Sequence, residues 1–198
     1  MISECPQCGA LLGPSEHPSG CITCCGIRPR SNQDRVIAVL EEAGVPIAHW
    51  DVRRLLERSG RRVNPGSLQV WLSTDGRACW GGPGVYGLYR HGLIPGPRDL
   101  GTIAAAFLWA TDTALTQEEV CFVLQYAGYR FQSTSMYLAL TRAQSRGLIQ
   151  RNWGGWFAGD VGFANLVGFT SGDDVGAVLM RTRSQVEAGL AERERRLT

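Results

Sequence analysis

Apolar positions along this chain recur first at helical and then at strand spacing, and that order occurs twice. In the first run Val36, Ile37, Val39 and Leu40 share one helical face behind Ser31 or Asn32, either of which can cap a helix that Gly44 closes. Val52, Leu55 and Leu56 give an inward face to a second helix over about 48–58. Asn64-Pro65-Gly66-Ser67 opens a third, with Pro65 in its first turn and Leu68, Trp71 and Leu72 turned inward. After the Asp75-Gly76 turn, residues 78–80, 81–84 and 85–89 read as strand, turn and strand.

Residues 91–98 are rich in glycine and proline and mark a boundary. The order then repeats. A helix over about 99–110 carries Ile103, Phe107 and Leu108. A second, over about 117–127, opens with a Thr116/Glu119 capping box. A third, over about 133–146, is expected to be capped by Ser133, and residues 148–158 make a second hairpin around Asn152-Trp153-Gly154-Gly155. Residues 160–172 are glycine-rich and fit neither period. From Asp173 a last helix places Val175, Leu179, Thr182, Val186 and Leu190 on one stripe, which can pack on its own domain or form a homodimer contact through 173–196.

Three helices followed by a hairpin is the order of a winged helix-turn-helix. The expected fold class is therefore mainly α with small β hairpins (α+β). A zinc ribbon at 1–29 precedes winged units at 31–92 and 99–160, and a terminal helix at 173–196 follows.

The ribbon rests on cysteine spacing. Cys5 and Cys8 form one Cys-x-x-Cys pair and Cys21 and Cys24 another, with twelve residues between the pairs. Two tight turns that each aim two sulfurs at one point suit a single tetrahedral Zn²⁺. Four thiolates leave no open position, so the ion is expected to be structural. Cys25 and His17 are alternative ligands. So short a segment buries little core, and metal binding would supply much of its folding free energy. Cys79 and Cys121 lie in apolar strings and read as core.

Composition adds limits. The chain has 198 residues, 44% of them hydrophobic, and a net charge of +2. No apolar run is long enough to span a membrane, and the start lacks a basic-then-apolar leader, so a cytoplasmic location is expected. All twenty basic residues are arginine, a planar donor suited to phosphate and guanine. Arg53, Arg54, Arg58, Arg61 and Arg62 face only Glu57 in residues 53–62, which reads as a phosphate-contact patch or a solvated helix face. The three histidines, His17, His49 and His91, lie apart without a matching acid or nucleophile. No phosphate-loop or dinucleotide motif surrounds the glycines, and the chain reads as a non-enzyme.

One stretch resembles a known family. Val39-Leu40, the string Gly44-Val45-Pro46-Ile47-Ala48-His49-Trp50-Asp51-Val52, Ser67-Leu68, Leu72, Asp75 and Gly84-Val85-Tyr86-Gly87-Leu88-Tyr89 resemble the HARE-HTH winged-helix domains over residues 36–92. That resemblance implies a setting in transcription, chromatin, or DNA modification and restriction. The bacterial RNA polymerase delta subunit carries such a domain too, so direct DNA binding is not always implied. Residues 100–158 resemble the general winged-helix class, with Arg146-Gly147-Leu148-Ile149-Gln150-Arg151 as the entry to the wing.

The side chains that a reading helix leaves free are then the candidate DNA contacts. In the first unit these are Asn64, Ser67 and Gln69, with Arg53, Arg61, Arg62 and Arg77 for phosphates. In the second they are Gln132, Ser133 and Ser135, with Arg130, Arg142, Arg146 and Arg151 around them. Trp153 and Trp156 flank the second turn as base-stacking or partner contacts, and both wing tips are small enough to enter a minor groove. The expected partner is double-stranded DNA. The alternatives are an adaptor docking on RNA polymerase or another nucleoprotein machine, and an RNA-binding module.

Overall fold

A computed structural model describes residues 3–4, 11–12, 31–59, 62–111, 113–168 and 172–198. Strands β1 (Ser3–Glu4) and β2 (Leu11–Leu12) pair antiparallel, Ser3 with Leu12 and Glu4 with Leu11. The four predicted zinc-binding cysteines, Cys25, His17 and Arg61 lie outside the described residues.

Helix α1 (Asn32–Ala43) starts in a reciprocal cap: the Ser31 hydroxyl accepts from the Asp34 amide and the Asp34 carboxylate accepts from the Ser31 amide. It ends at Gly44 in a left-handed turn, φ +67°. Strand β3 (Ile47–Ala48) runs directly into α2 (His49–Arg58). Helix α3 (Pro65–Thr74) has proline at its start and Asn64 Oδ1 accepting from the Gly66 amide. Strands β4 (Ala78–Gly82) and β5 (Val85–Leu88) close the first run, and the sheet order is β3-β5-β4, all antiparallel. Val36, Ile37, Leu40, Val52, Leu56, Leu68, Leu72, Tyr86 and Leu88 form its core.

The second run follows the same plan. Asp99 caps α4 (Leu100–Trp109), and Thr116 and Glu119 form the expected capping box on α5 (Gln117–Tyr126). Helix α6 (Ser133–Ser145) leads into β6 (Ile149–Asn152) and β7 (Gly155–Ala158). Leu115 pairs with Trp156 on β7, as β3 pairs with β5 in the first run. Each hairpin thus has a short third strand just before the second helix of its run. Two residues or one are too short for a period-2 pattern to register, which is why the sequence does not announce them. Residues 100–108 of α4 are all buried. A helix apolar all round belongs at the centre of a core, and α4 packs against α5, α6, β7 and the two last helices, α7 (Phe163–Val167) and α8 (Gly172–Leu197).

Helix α8 lies on this second core. Val178 and Val186 are buried, and Val175, Leu179 and Leu190 pack beside them. Arg193 reaches Glu118 and Glu119 on α5, and Arg183 Nε donates to the Ala110 carbonyl at 3.1 Å. The stripe that offered a homodimer contact is therefore covered within the chain.

The glycine- and proline-rich segment 91–98 is a boundary in sequence but not a free hinge. Leu93 and Ile94 are buried in the second core together with Cys79 of β4. Each aliphatic side chain so buried contributes roughly 2 kcal/mol. The Ile94 amide donates to the phenol oxygen of buried Tyr129 at 2.7 Å, and Gln185 Nε2 donates to the Gly92 carbonyl at 2.9 Å. The Arg130 amide donates to the Gly81 carbonyl at 2.7 Å. The β4–β5 hairpin of the first run is thereby seated on the second run.

The molecule is mainly helical with small antiparallel sheets. Among the described residues no helix is long and apolar enough to cross a membrane.

Candidate nucleic-acid interface

Met136, Leu140 and Ala143 turn one side of α6 into the core, and the opposite side is left to solvent. Ser133, Thr134, Tyr137, Leu138, Thr141, Arg142, Gln144 and Ser145 are all exposed there. The N-cap is Gln132, one residue before the expected Ser133, and no side chain caps the helix. The first amides of α6 therefore keep their positive end for an anion.

The β6–β7 turn stands beside α6. Asn152 Oδ1 accepts from the Gly154 amide at 2.8 Å, which fixes the turn. Trp153 projects from it at 107% relative exposure. A groove of about 440 Å³ lies between Gln144 on α6 and Arg151, Asn152 and Trp153 on the turn. The Arg151 guanidinium sits 5.2 Å from the Trp156 ring centroid. Trp156 itself is only 3% exposed and belongs to the core. Its indole faces inward because successive strand residues alternate, so it is not free to stack on a base.

Charge favours this surface. Residues 120–159 contain Arg130, Arg142, Arg146 and Arg151 and no aspartate or glutamate. Arg130, Arg142 and Arg151 make no ion pair among the described residues, while Arg146 meets Asp99 at 3.4 Å. Burial opposes ionisation of the Asp99 carboxyl. Hydrogen bonds from Thr102 and the nearby Arg146 outweigh it and hold the pKa below the ordinary carboxylate value.

The first run contributes less than its sequence suggests. Arg77 is a clasp, bound to Asp75 at 2.7 Å and to Asp34 at 2.9 Å. Both acids are held below the usual carboxylate range, largely by their hydrogen bonds from Arg77 and, for Asp34, first from Ser31. Arg53 pairs with Glu57 at 2.7 Å, and Arg54 approaches Asp51 at 3.8 Å. Asn64 spends its carbonyl oxygen on the α3 cap. Ser73 and Thr74 donate to the Val70 carbonyl, and Ser67 is half-buried. Arg62 and Gln69 remain exposed. The β4–β5 turn cannot enter a groove as its sequence implied: Gly81 and Gly82 are buried against the second run, and only Pro83 is open.

Five of the candidate residues thus gather on the two flanks of α6. Arg151 and Trp153 stand on one flank, and Ser135, Arg142 and Arg146 on the other. Tyr137, Leu138, Thr141 and Gln144 were not singled out by sequence, although their helical phase opposite Met136 and Leu140 carried the signal. Cys79 and Cys121 offer no nucleophile, since burial pushes the Cys79 thiol up to about 12 and raises that of Cys121. Among the described residues no group of three or more His, Cys, Asp or Glu is placed to hold a metal. Compared with known proteins, the chain matches no family model, no curated protein and no solved structure.

Proposed function

We propose that this chain is a non-enzymatic, tandem winged-helix protein that binds double-stranded DNA, in transcriptional regulation or in DNA modification or defence. The observation that carries the reading is the exposed face of α6, within the acid-free segment 120–159, with Trp153 standing beside it. Helix α6 would enter the major groove. Gln132, Ser133 and Gln144 would face bases, and Arg130 and Arg151 would hold phosphates. Trp153 is the wing residue of the second unit. The repeated order of two helices, a third helix and a hairpin, each hairpin with its short third strand, supports two winged units. The first unit is the HARE-HTH-like one, and its role is chiefly to buttress the second.

The ribbon at 1–29 would hold one structural Zn²⁺ through Cys5, Cys8, Cys21 and Cys24. The pairing of β1 with β2 supports this, because the first Cys-x-x-Cys pair falls in the connection between those strands. A second reading, an adaptor that docks on RNA polymerase or a similar machine, is favoured by Val45 and Trp50, both 57% exposed on the first unit.

Fluorescence anisotropy of the zinc-loaded chain with random-sequence duplex, across a salt series, separates the two. Direct binding predicts a dissociation constant below about 10⁻⁵ M at moderate salt and a slope of several charges. Absence of binding at low salt would refute the DNA reading and leave the adaptor.

A further inference from the structure

Between the β4–β5 hairpin and the inner flank of α6 lies a cleft of about 580 Å³. Its size falls in the range of small-molecule sites. Trp80 and Phe131 offer aromatic walls, and Leu138, 56% exposed, leaves an apolar rim open to solvent. Two arginines, Arg142 and Arg146, line the cleft against one acid, Asp99. Asp99 is already engaged: its carboxylate accepts from the Thr102 amide and hydroxyl and meets Arg146. Arg142 makes no ion pair among the described residues, so one positive charge in the cleft is left without a counter-charge.

We propose that this cleft binds a small aromatic monoanion, a planar carboxylate or sulfonate. Its ring would lie against Trp80, Phe131 and Leu138 and its acid group on Arg142. A bare phosphate would use the arginine and leave the apolar walls in water. A neutral aromatic would use the walls and leave Arg142 unmatched. A planar anion satisfies both. The cleft is bounded by elements of both units, so an occupant would touch the seated hairpin and α6 together. If α6 also reads DNA, occupancy and DNA binding are coupled reciprocally. The ligand site itself does not depend on that reading.

The test is a fluorescence titration of the full-length folded chain with 8-anilinonaphthalene-1-sulfonate, with 2-naphthoate and neutral 2-naphthalenemethanol as competitors. One saturable site is expected, with naphthoate displacing the probe about tenfold better than the alcohol. Arg142→Gln should weaken the probe by about tenfold or more. Ser135→Trp, at an exposed position on the lip, should abolish binding by filling the cleft. Glu187→Gln, exposed on α8 and absent from the lining, should change nothing. Circular dichroism confirms that each variant is folded. The proposal fails if no saturable binding occurs, or if binding ignores both Arg142→Gln and Ser135→Trp. It also fails if a short DNA duplex displaces the probe through Arg142 while naphthoate does not, since the cleft would then belong to the phosphate backbone.

Discussion

A Cβ on Gly82 would overlap the carbonyl oxygen of Arg130, and the backbone there has φ +136°. Two constraints coincide: a conformation that side chains avoid, and a backbone contact that no rotamer change relieves. The neighbouring hydrogen bond, Arg130 amide to Gly81 carbonyl, fixes the same approach. Gly82→Ala should cost more than about 2 kcal/mol and loosen the seating of the first hairpin. Gly76→Ala, where nothing lies within 4 Å of the new Cβ, should stay within about 0.5 kcal/mol of wild type. Urea unfolding of both variants checks this.

Trp153 and Trp156 are three residues apart and should behave as opposites. Trp153→Ala removes a side chain that touches solvent, so stability should hold. DNA affinity should fall by about 1–3 kcal/mol if the indole stacks on a base. Trp156→Ala empties a core position and should cost about 3–5 kcal/mol of stability. Thermal unfolding and anisotropy on the same two proteins give both readings.

Much of the fold is legible in the sequence because its signals are local. Ser31, one of the two caps the sequence offers, and Thr116 with Glu119 announce helix starts, and both starts form reciprocal caps, Ser31 with Asp34. The joint between the units was not legible. Leu93 and Ile94 sit in a glycine-proline string that reads as linker, and only their burial with Cys79 and Tyr129 reveals a fixed contact. Arg77 shows the same limit at the site. Its charge reads as a phosphate contact until folding brings Asp34, on α1, to 2.9 Å of this turn residue. Contacts between residues far apart in sequence leave no periodic trace, so exposed helix faces can be foreseen while ion pairs and buried turns cannot.

The arginines should therefore divide by experiment. Arg130→Gln and Arg151→Gln should each lower the salt slope of DNA binding by about one and leave folding nearly unchanged. Arg77→Gln should leave the slope alone. It should cost about 1 kcal/mol of stability or less, because the clasp is half exposed and screened by water. A loss of slope on Arg77→Gln would show that the clasp opens to meet DNA.

The proposed zinc ribbon makes a stoichiometric prediction. Purified chain should carry one zinc per molecule, released as thiols are blocked and measured with a chromogenic chelator. Cys21→Ser should lose the metal, while Cys25→Ser should keep it. The reverse result would move the ligand to Cys25.

His91 sits beside the joint, and its ring sets a pH dependence. Nδ1 accepts from the Leu88 amide at 3.2 Å, so the neutral ring carries its proton on Nε2, which is buried with no hydrogen-bond partner among the described residues. Protonating Nδ1 would cost that hydrogen bond. Burial first, then the charges of Arg90 and Arg181, hold the pKa below the ordinary 6.5, with Glu41 opposing. The unfolded chain thus takes up a proton that the folded chain resists. Well above pH 6.5 the ring is neutral in both states and adds no pH dependence. As pH falls below that value, the unfolded chain is favoured, and stability declines until the folded ring is protonated too. Urea midpoints from about pH 7.5 down to about pH 5 should fall faster for wild type than for His91→Asn, since the two proteins differ at this position alone. Parallel curves would mean that the ring titrates alike in the folded and unfolded chains, and that the joint is insensitive to acid at this position.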